Sequence, residues 1–159
     1  LVFISVAIYF SMARKPLITR ILTIGVLSSV LVNVVMNADF YPSLLKYEAG
    51  ATMSEIVKAK GIPEDRIYKL SEGHTWALDF YFGKPLKVIP GKDLPKNEAI
   101  WIYADDKERK QLQGAGILWD REYTSDQFRI SRLQARFLNP ETRPEVLRKR
   151  YLLRIPPSP

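Results

Sequence analysis

Arg129, Arg132 and Arg136 follow one another at spacings of three and four, and Arg143 comes seven residues later. A guanidinium is a planar fork that makes paired, charge-assisted hydrogen bonds, so clustered arginines suit phosphate better than any other common ligand. On a helix the first three would share a face. On a strand Arg132 and Arg136 would point one way and Arg129 the other. Phe128-Arg129-Ile130 reads as a strand entering a turn, so Arg132 and Arg136 are expected to act together, joined by Arg143 from the following turn. The chemistry such a cluster would do is to hold a lipid-linked phosphate or an anionic headgroup. The competing use is internal, in ion pairs with Asp120, Glu122, Glu141 or Glu145.

Other chemical motifs are few. Gly114-Ala115-Gly116 lacks the third glycine of a phosphate loop and precedes a strand rather than a helix, so it reads as a turn. There is no nucleophile elbow. His74 is the single histidine and cysteine is absent, which removes His-cluster and thiolate metal sites, thiol nucleophiles and disulfides. His74 stands beside Glu72 at a helix start, where capping or surface placement outweighs catalysis. Asp105-Asp106 follows an apolar strand, where open α/β sheets bind ligands. Two acids opening a helix are also what the helix dipole favours, and that capping role is the stronger reading. Glu72 and Asp79 could be posed as an acid/base pair, but their spacing is that of surface carboxylates. No catalytic residue, metal ligand or cofactor site is expected from these residues.

The elements that must position the arginines begin with an apolar run over residues 17–36, interrupted by one charge, Arg20. About 20 apolar residues at a rise of 1.5 Å span a hydrocarbon core of ~30 Å. Ser28, Ser29 and Asn33 make no continuous polar stripe on it. A second apolar piece, residues 1–12, precedes it, with Ala13, Arg14, Lys15 and Pro16 between the two. The reading is a transmembrane hairpin over residues 1–37 whose first arm is cut short, in a chain that begins at Leu1 and looks like part of something longer. A secretory signal would place its charges first and end at a small-x-small site, which Met36-Asn37-Ala38 is not. Arg14, Lys15 and Arg20 all lie at one end of the hairpin, and basic residues in short loops stay cytoplasmic. The chain beyond Asn37 would then emerge outside, in a bacterium the periplasm.

Residues 38–155 are long enough for one domain with its own core. Their charge is uneven: residues 38–128 carry 13 basic and 15 acidic side chains, and residues 129–159 carry eight basic against two acidic. The net charge of +7 therefore belongs to the hairpin loop and the last thirty residues. Nucleic acid is a poor partner for a domain outside the membrane and membrane lipid a better one, while a solvated basic face that simply sits near the bilayer is the stronger reading.

The pattern predicts a helix from Ser43, as N-cap after Pro42, through Leu45, Ala49, Met53 and Ile56, ended by Gly61; Gly50 inside it implies close packing. Residues 66–70 read as a strand, 74–82 as a short buried aromatic helix, and 86–89 as a strand. Residues 99–103, AIWIY, read as a central strand buried on both faces. A polar helix follows over 107–113, then strands at 117–123, 128–133 and 151–155, with a helical turn near 144–148. Strands alternating with helices predict a small layered α/β domain with a largely parallel sheet. The prolines of residues 156–159 make a disordered tail.

The run into Asp39-Phe40-Tyr41-Pro42, the Tyr47-Glu48-Ala49-Gly50 helix, the segment Leu78-Asp79-Phe80-Tyr81-Phe82-Gly83, the central strand with Trp101 and the closing Tyr151-Leu152-Leu153 resemble the C-terminal region of bacterial lipid-linked glycosyltransferases. These are GT-C enzymes of the protein O-mannosyltransferase and aminoarabinose transferase type. The resemblance covers nearly the whole chain through loose patterns rather than a diagnostic signature. It implies an inner-membrane protein whose transmembrane bundle takes a sugar from a polyprenyl-phosphate donor beneath a periplasmic α/β domain. Its catalytic acids lie in a first extracytoplasmic loop, upstream of anything present here. The chain would then be accessory, inactive without the missing bundle, and would shape the acceptor side or steady the lipid phosphate. The alternative is a membrane-anchored periplasmic module, not an enzyme, that binds a glycan or a protein partner.

Overall fold

The computed structural model describes residues 8–9, 15–73, 75–95 and 97–157. The chain divides into two compact units, Leu1–Ser43 and Leu44–Pro159. Most of the expected first arm of the hairpin, and His74 with it, lies outside the described residues. What is described of the first unit is one long helix, α1 (Leu17–Leu45), long and apolar enough to cross a membrane.

None of the α1 side chains between Leu17 and Val35 is buried. Two of its polar side chains turn back on their own backbone: Asn33 Nδ2 donates to the Ser29 carbonyl at 2.9 Å, and Asn37 Nδ2 to the Asn33 carbonyl at 2.8 Å. Groups satisfied within the helix in this way are tolerable where no water is present. Pro42 was expected to break the chain and Ser43 to cap a new helix. Instead α1 runs through both. Pro42 has no N–H to offer the carbonyl one turn back, and the helix answers by widening into a π turn over Met36–Phe40, where the Tyr41 N–H reaches the Met36 carbonyl. The next helix, α2 (Ala49–Ala59), starts afresh after a turn at Lys46 and Tyr47.

The second unit is a five-stranded sheet with helices on both faces. In chain order after α2 come β1 (Ile67–Lys69), α3 (Trp76–Phe82), β2 (Lys87–Val88), β3 (Ile100–Asp105), α4 (Asp106–Gly114), β4 (Arg121–Gln127), α5 (Ala135–Leu138), α6 (Arg143–Val146) and β5 (Arg148–Ile155). The strand order is β2-β1-β3-β5-β4. Strand β1 pairs parallel with β2 and β3, but β5 is antiparallel to both β3 and β4. The sheet is therefore mixed, not largely parallel. The chain returns after β4 and inserts β5 between two strands already laid down, an arrangement that local periodicity does not encode.

Strand β3 is the centre. Its Trp101 and Tyr103, with Leu152 of β5, pack on Met53 and Val57 of α2 and on Leu78 and Phe82 of α3. Its Ile100, Ile102 and Ala104, with Tyr151, Leu153 and Ile155, pack on Leu112 of α4. Two-sided burial explains the unbroken apolar run. Gly50 is where α2 meets α3: a Cβ there would lie 2.8 Å from both the Ala77 Cβ and the Leu78 nitrogen. Gly61 ends α2 at φ +61°, with the Ile62 N–H bonded to the Val57 carbonyl and the Gly61 N–H to that of Lys58, the paired bonds of a left-handed helix cap.

Three segments differ from their expected form. The strand assigned to residues 117–123 lies at Arg121–Gln127, because Ile117 and Trp119 pack against the core from a loop. Residues 128–133 are not a strand but a 3-10 turn, Ile130–Arg132. The α3 helix buries Leu78 and Phe82 but leaves Trp76 and Phe80 outside, so it is amphipathic rather than buried.

Candidate functional site

Four of the five strands, β1 to β4, point the same way, since β3 and β4 are each antiparallel to β5. At their carboxyl ends opens a cleft of about 1000 Å³. This is the edge at which open α/β sheets place ligands, near the point where successive strands change sides of the sheet. One wall comes from the first turns of α2 and α3, including Glu48, Gly50, Thr75 and Trp76. The other comes from the chain leaving β4, with Arg129 and Arg132, and from the start of β5, with Arg148 and Arg150. Tyr103 lies at the base. Four arginines thus face two carboxylates, Glu48 and Glu145.

Register explains how they meet. Asp105 of β3 lies opposite Arg150 of β5, and Tyr103 opposite Leu152, so Arg148 and Arg150 share the sheet face of Tyr103 while Lys149 takes the other. Arg150 is held: its Nε donates to Gln127 Oε1 at 2.5 Å, its Nη1 lies 3.8 Å from Asp105 Oδ2, and its guanidinium stands 5.8 Å from the centre of the Tyr103 ring. Arg129 Nε donates to Ser131 Oγ at 3.3 Å, while Arg132 and Arg148 form no ion pair among the described residues. Burial pushes the Tyr103 hydroxyl up to about 12, against a smaller opposing pull from Arg150, so it stays a neutral donor at physiological pH.

Of the three arginines singled out from spacing, Arg132 alone lines the cleft. Arg136 is exposed on α5. Arg143 is a clip. Its Nε donates to the Phe137 carbonyl at 2.8 Å, its Nη1 to the Tyr47 hydroxyl at 2.9 Å and its Nη2 to the Leu138 carbonyl at 3.4 Å. Its plane lies over the Tyr47 and Phe137 rings at 5.4 and 5.3 Å. The joint action of Arg132 and Arg136 assumed a strand, and the segment is a 3-10 turn leading into a short helix. Arg148, Arg150 and Tyr103 were not singled out. The alternation of Arg148 and Arg150 about Lys149 carried the signal for the first two. Tyr103 joins them only through strand pairing.

Three of the acidic candidates, Asp79, Asp105 and Asp106, make structural contacts. Asp105 accepts from the Glu108 N–H at 2.9 Å while Glu108 accepts from the Asp105 N–H at 3.0 Å, a reciprocal cap on α4. Asp106 accepts the Tyr151 hydroxyl at 2.6 Å. Asp79 accepts the Thr75 hydroxyl and the Leu86 N–H at 2.9 Å each, tying α3 to the strand that follows. Gly116, at φ +74°, closes α4 in a turn. No protein-family model, curated protein or solved structure matches this chain.

Proposed function

We propose that this chain is the membrane-anchored C-terminal part of a polyprenyl-phosphate-dependent glycosyltransferase, and that its cleft holds a phosphate-bearing ligand without performing the transfer. The observation that carries this reading is the convergence of Arg129, Arg132, Arg148 and Arg150 on one cleft, in a chain that also bears an exposed apolar helix of 29 residues. Arg150 is fixed in place by Gln127 and by its ion pair with Asp105. Arg129, Arg132 and Arg148 bring further guanidinium forks to the walls, suited to tetrahedral oxyanions. The neutral Tyr103 hydroxyl adds no opposing charge. In this reading the helix lies in a bacterial inner membrane and the α/β domain on its periplasmic side. The transfer from donor to acceptor then belongs to a catalytic transmembrane bundle, to which this chain is accessory.

The test is titration of the full chain, in discs of zwitterionic lipid, with a short-chain polyprenyl phosphate. Each charge-assisted hydrogen bond contributes about 1.5–3 kcal/mol. Arg132→Gln and Arg148→Gln should therefore each weaken binding roughly ten- to a hundredfold. Equal affinity in wild type and both variants would refute a phosphate role for the cleft and favour the second class, an anchored module that binds an uncharged glycan or a protein.

A further inference from the structure

The two most exposed large aromatic side chains of the described α/β domain lie one turn apart on α3: Trp76 is 72% exposed and Phe80 79%. Residues at i and i+4 share a helix face. The opposite face of α3 is anchored by Leu78 and Phe82 in the core and by the Asp79 contacts to Thr75 and Leu86, so this pair is presented by a rigid support. Gly50 of α2 packs directly beneath Ala77. Trp76 also lines the cleft, as do Arg129 and Arg132. The cleft lining therefore joins the Trp76 ring to Arg129 and Arg132, which form no ion pair among the described residues, and Phe80 lies one helical turn from Trp76.

Such a surface matches the interfacial layer of a bilayer, where indole and phenyl rings settle at headgroup depth and each basic residue is drawn to anionic lipid. The same chain carries a helix, α1, long and apolar enough to cross a membrane, and the first cleft residue, Glu48, follows its last residue by three positions. We propose that the outer face of α3, through Trp76 and Phe80, seats in the interface of an anionic bilayer, with Arg129 and Arg132 at the adjoining cleft mouth on the headgroups. The cleft then opens onto lipid rather than bulk water. This rests on the membrane reading of α1 and not on the identity of the cleft's ligand.

The experiment uses the full chain reconstituted in phosphatidylcholine/phosphatidylglycerol vesicles, with lipids brominated at a shallow acyl position as quencher. Three tryptophans report, and two serve as internal controls. Trp101 is 6% exposed and stacked on Tyr123, and the Trp119 indole N–H is bonded to Glu122 beneath the Arg109 guanidinium, at the opposite face of the sheet. The expected result is a loss of emission in brominated vesicles that Trp76→Phe abolishes. Arg129→Gln with Arg132→Gln should reduce that loss in anionic vesicles and leave the near-ultraviolet circular dichroism unchanged. Equal loss in wild type and Trp76→Phe, or no loss in wild-type chain that co-floats with the vesicles, overturns the proposal. A soluble glycan or protein as the true occupant of this face would give that second result. Failure to co-float overturns the membrane reading as well, whereas quenching with no polyprenyl phosphate bound would leave this proposal standing and remove only the ligand assignment.

Discussion

Arg143 and Arg132 lie eleven residues apart and do different work. Arg143 directs three donors at Phe137, Leu138 and Tyr47 and covers two aromatic rings, so its removal leaves carbonyls and a hydroxyl without their partner. Arg143→Gln should lower domain stability by about 1.5–3 kcal/mol, read as a lower midpoint in urea, with cleft affinity little changed. Arg132→Gln should do the reverse, since Arg132 is exposed on a 3-10 turn and makes no ion pair among the described residues. A similar affinity loss in both variants would place Arg143 in the site after all. Tyr103 makes a pH prediction. Its folded pKa, about 12, lies above the ordinary value of 10.0, because burial disfavours the phenolate. Its contribution is therefore complete below pH 10 and is lost as pH rises from 10 to 12, where the unfolded chain ionises first. Two units correspond to about 2–3 kcal/mol. Tyr103→Phe should be less sensitive than wild type in that window, and identical alkaline profiles would show that the hydroxyl is not held neutral by the fold.

Among the elements, α2 and α3 touch where a side chain would not fit. Gly50→Ala gains up to about 1 kcal/mol of helix propensity. It also drives a methyl group to 2.8 Å from the Leu78 backbone nitrogen, which cannot swing aside. Overpacking of this kind costs about 1–3 kcal/mol, so the net change should be destabilising and visible as a lower thermal midpoint. A stabilised variant would mean that the two helices separate freely. This contact was legible because a glycine inside an apolar helical pattern demands a reason, and β3 was legible because burial on both faces leaves an unbroken apolar run. Strand β4 was not. Its sequence REYTSDQ is polar, it pairs on one side only, and backbone bonds to β5 hold it, so no hydrophobic period marks it. The nearby Ile117 and Trp119 carry the apolar signal while packing from a loop. The cleft was half visible for the same reason. The arginines of β5 alternate in the sequence, but the insertion of β5 beside β3, which brings them to Tyr103, is a long-range pairing with no local signature.

At the scale of the whole molecule the two units pose different solvation problems. No α1 side chain between Leu17 and Val35 is buried, side chains such as Leu17, Ile18 and Leu22 remain more than half exposed, and the helix is long and apolar enough to cross a membrane. The α/β unit has a core on both faces of its sheet and leaves no buried polar side-chain atom without a partner among the described residues. The chain should therefore resist extraction from membranes at alkaline pH, whereas residues 44–159 alone should dissolve and melt in one cooperative transition. Loss of that transition would mean that the domain's core depends on the bilayer. Orientation rests on charge. Arg14, Lys15 and Arg20 precede or begin the apolar span, and no charge follows until Asp39. Retention of those cations on the cytoplasmic side would place the C-terminus outside. A periplasm-active reporter joined after Pro159 should be active and a cytoplasm-active one silent. The opposite pattern would put the arginine cleft in the cytoplasm, out of reach of a sugar donor presented on the outer leaflet, and would end the glycosyltransferase reading while leaving the aromatic and cationic surface free to meet the inner leaflet instead.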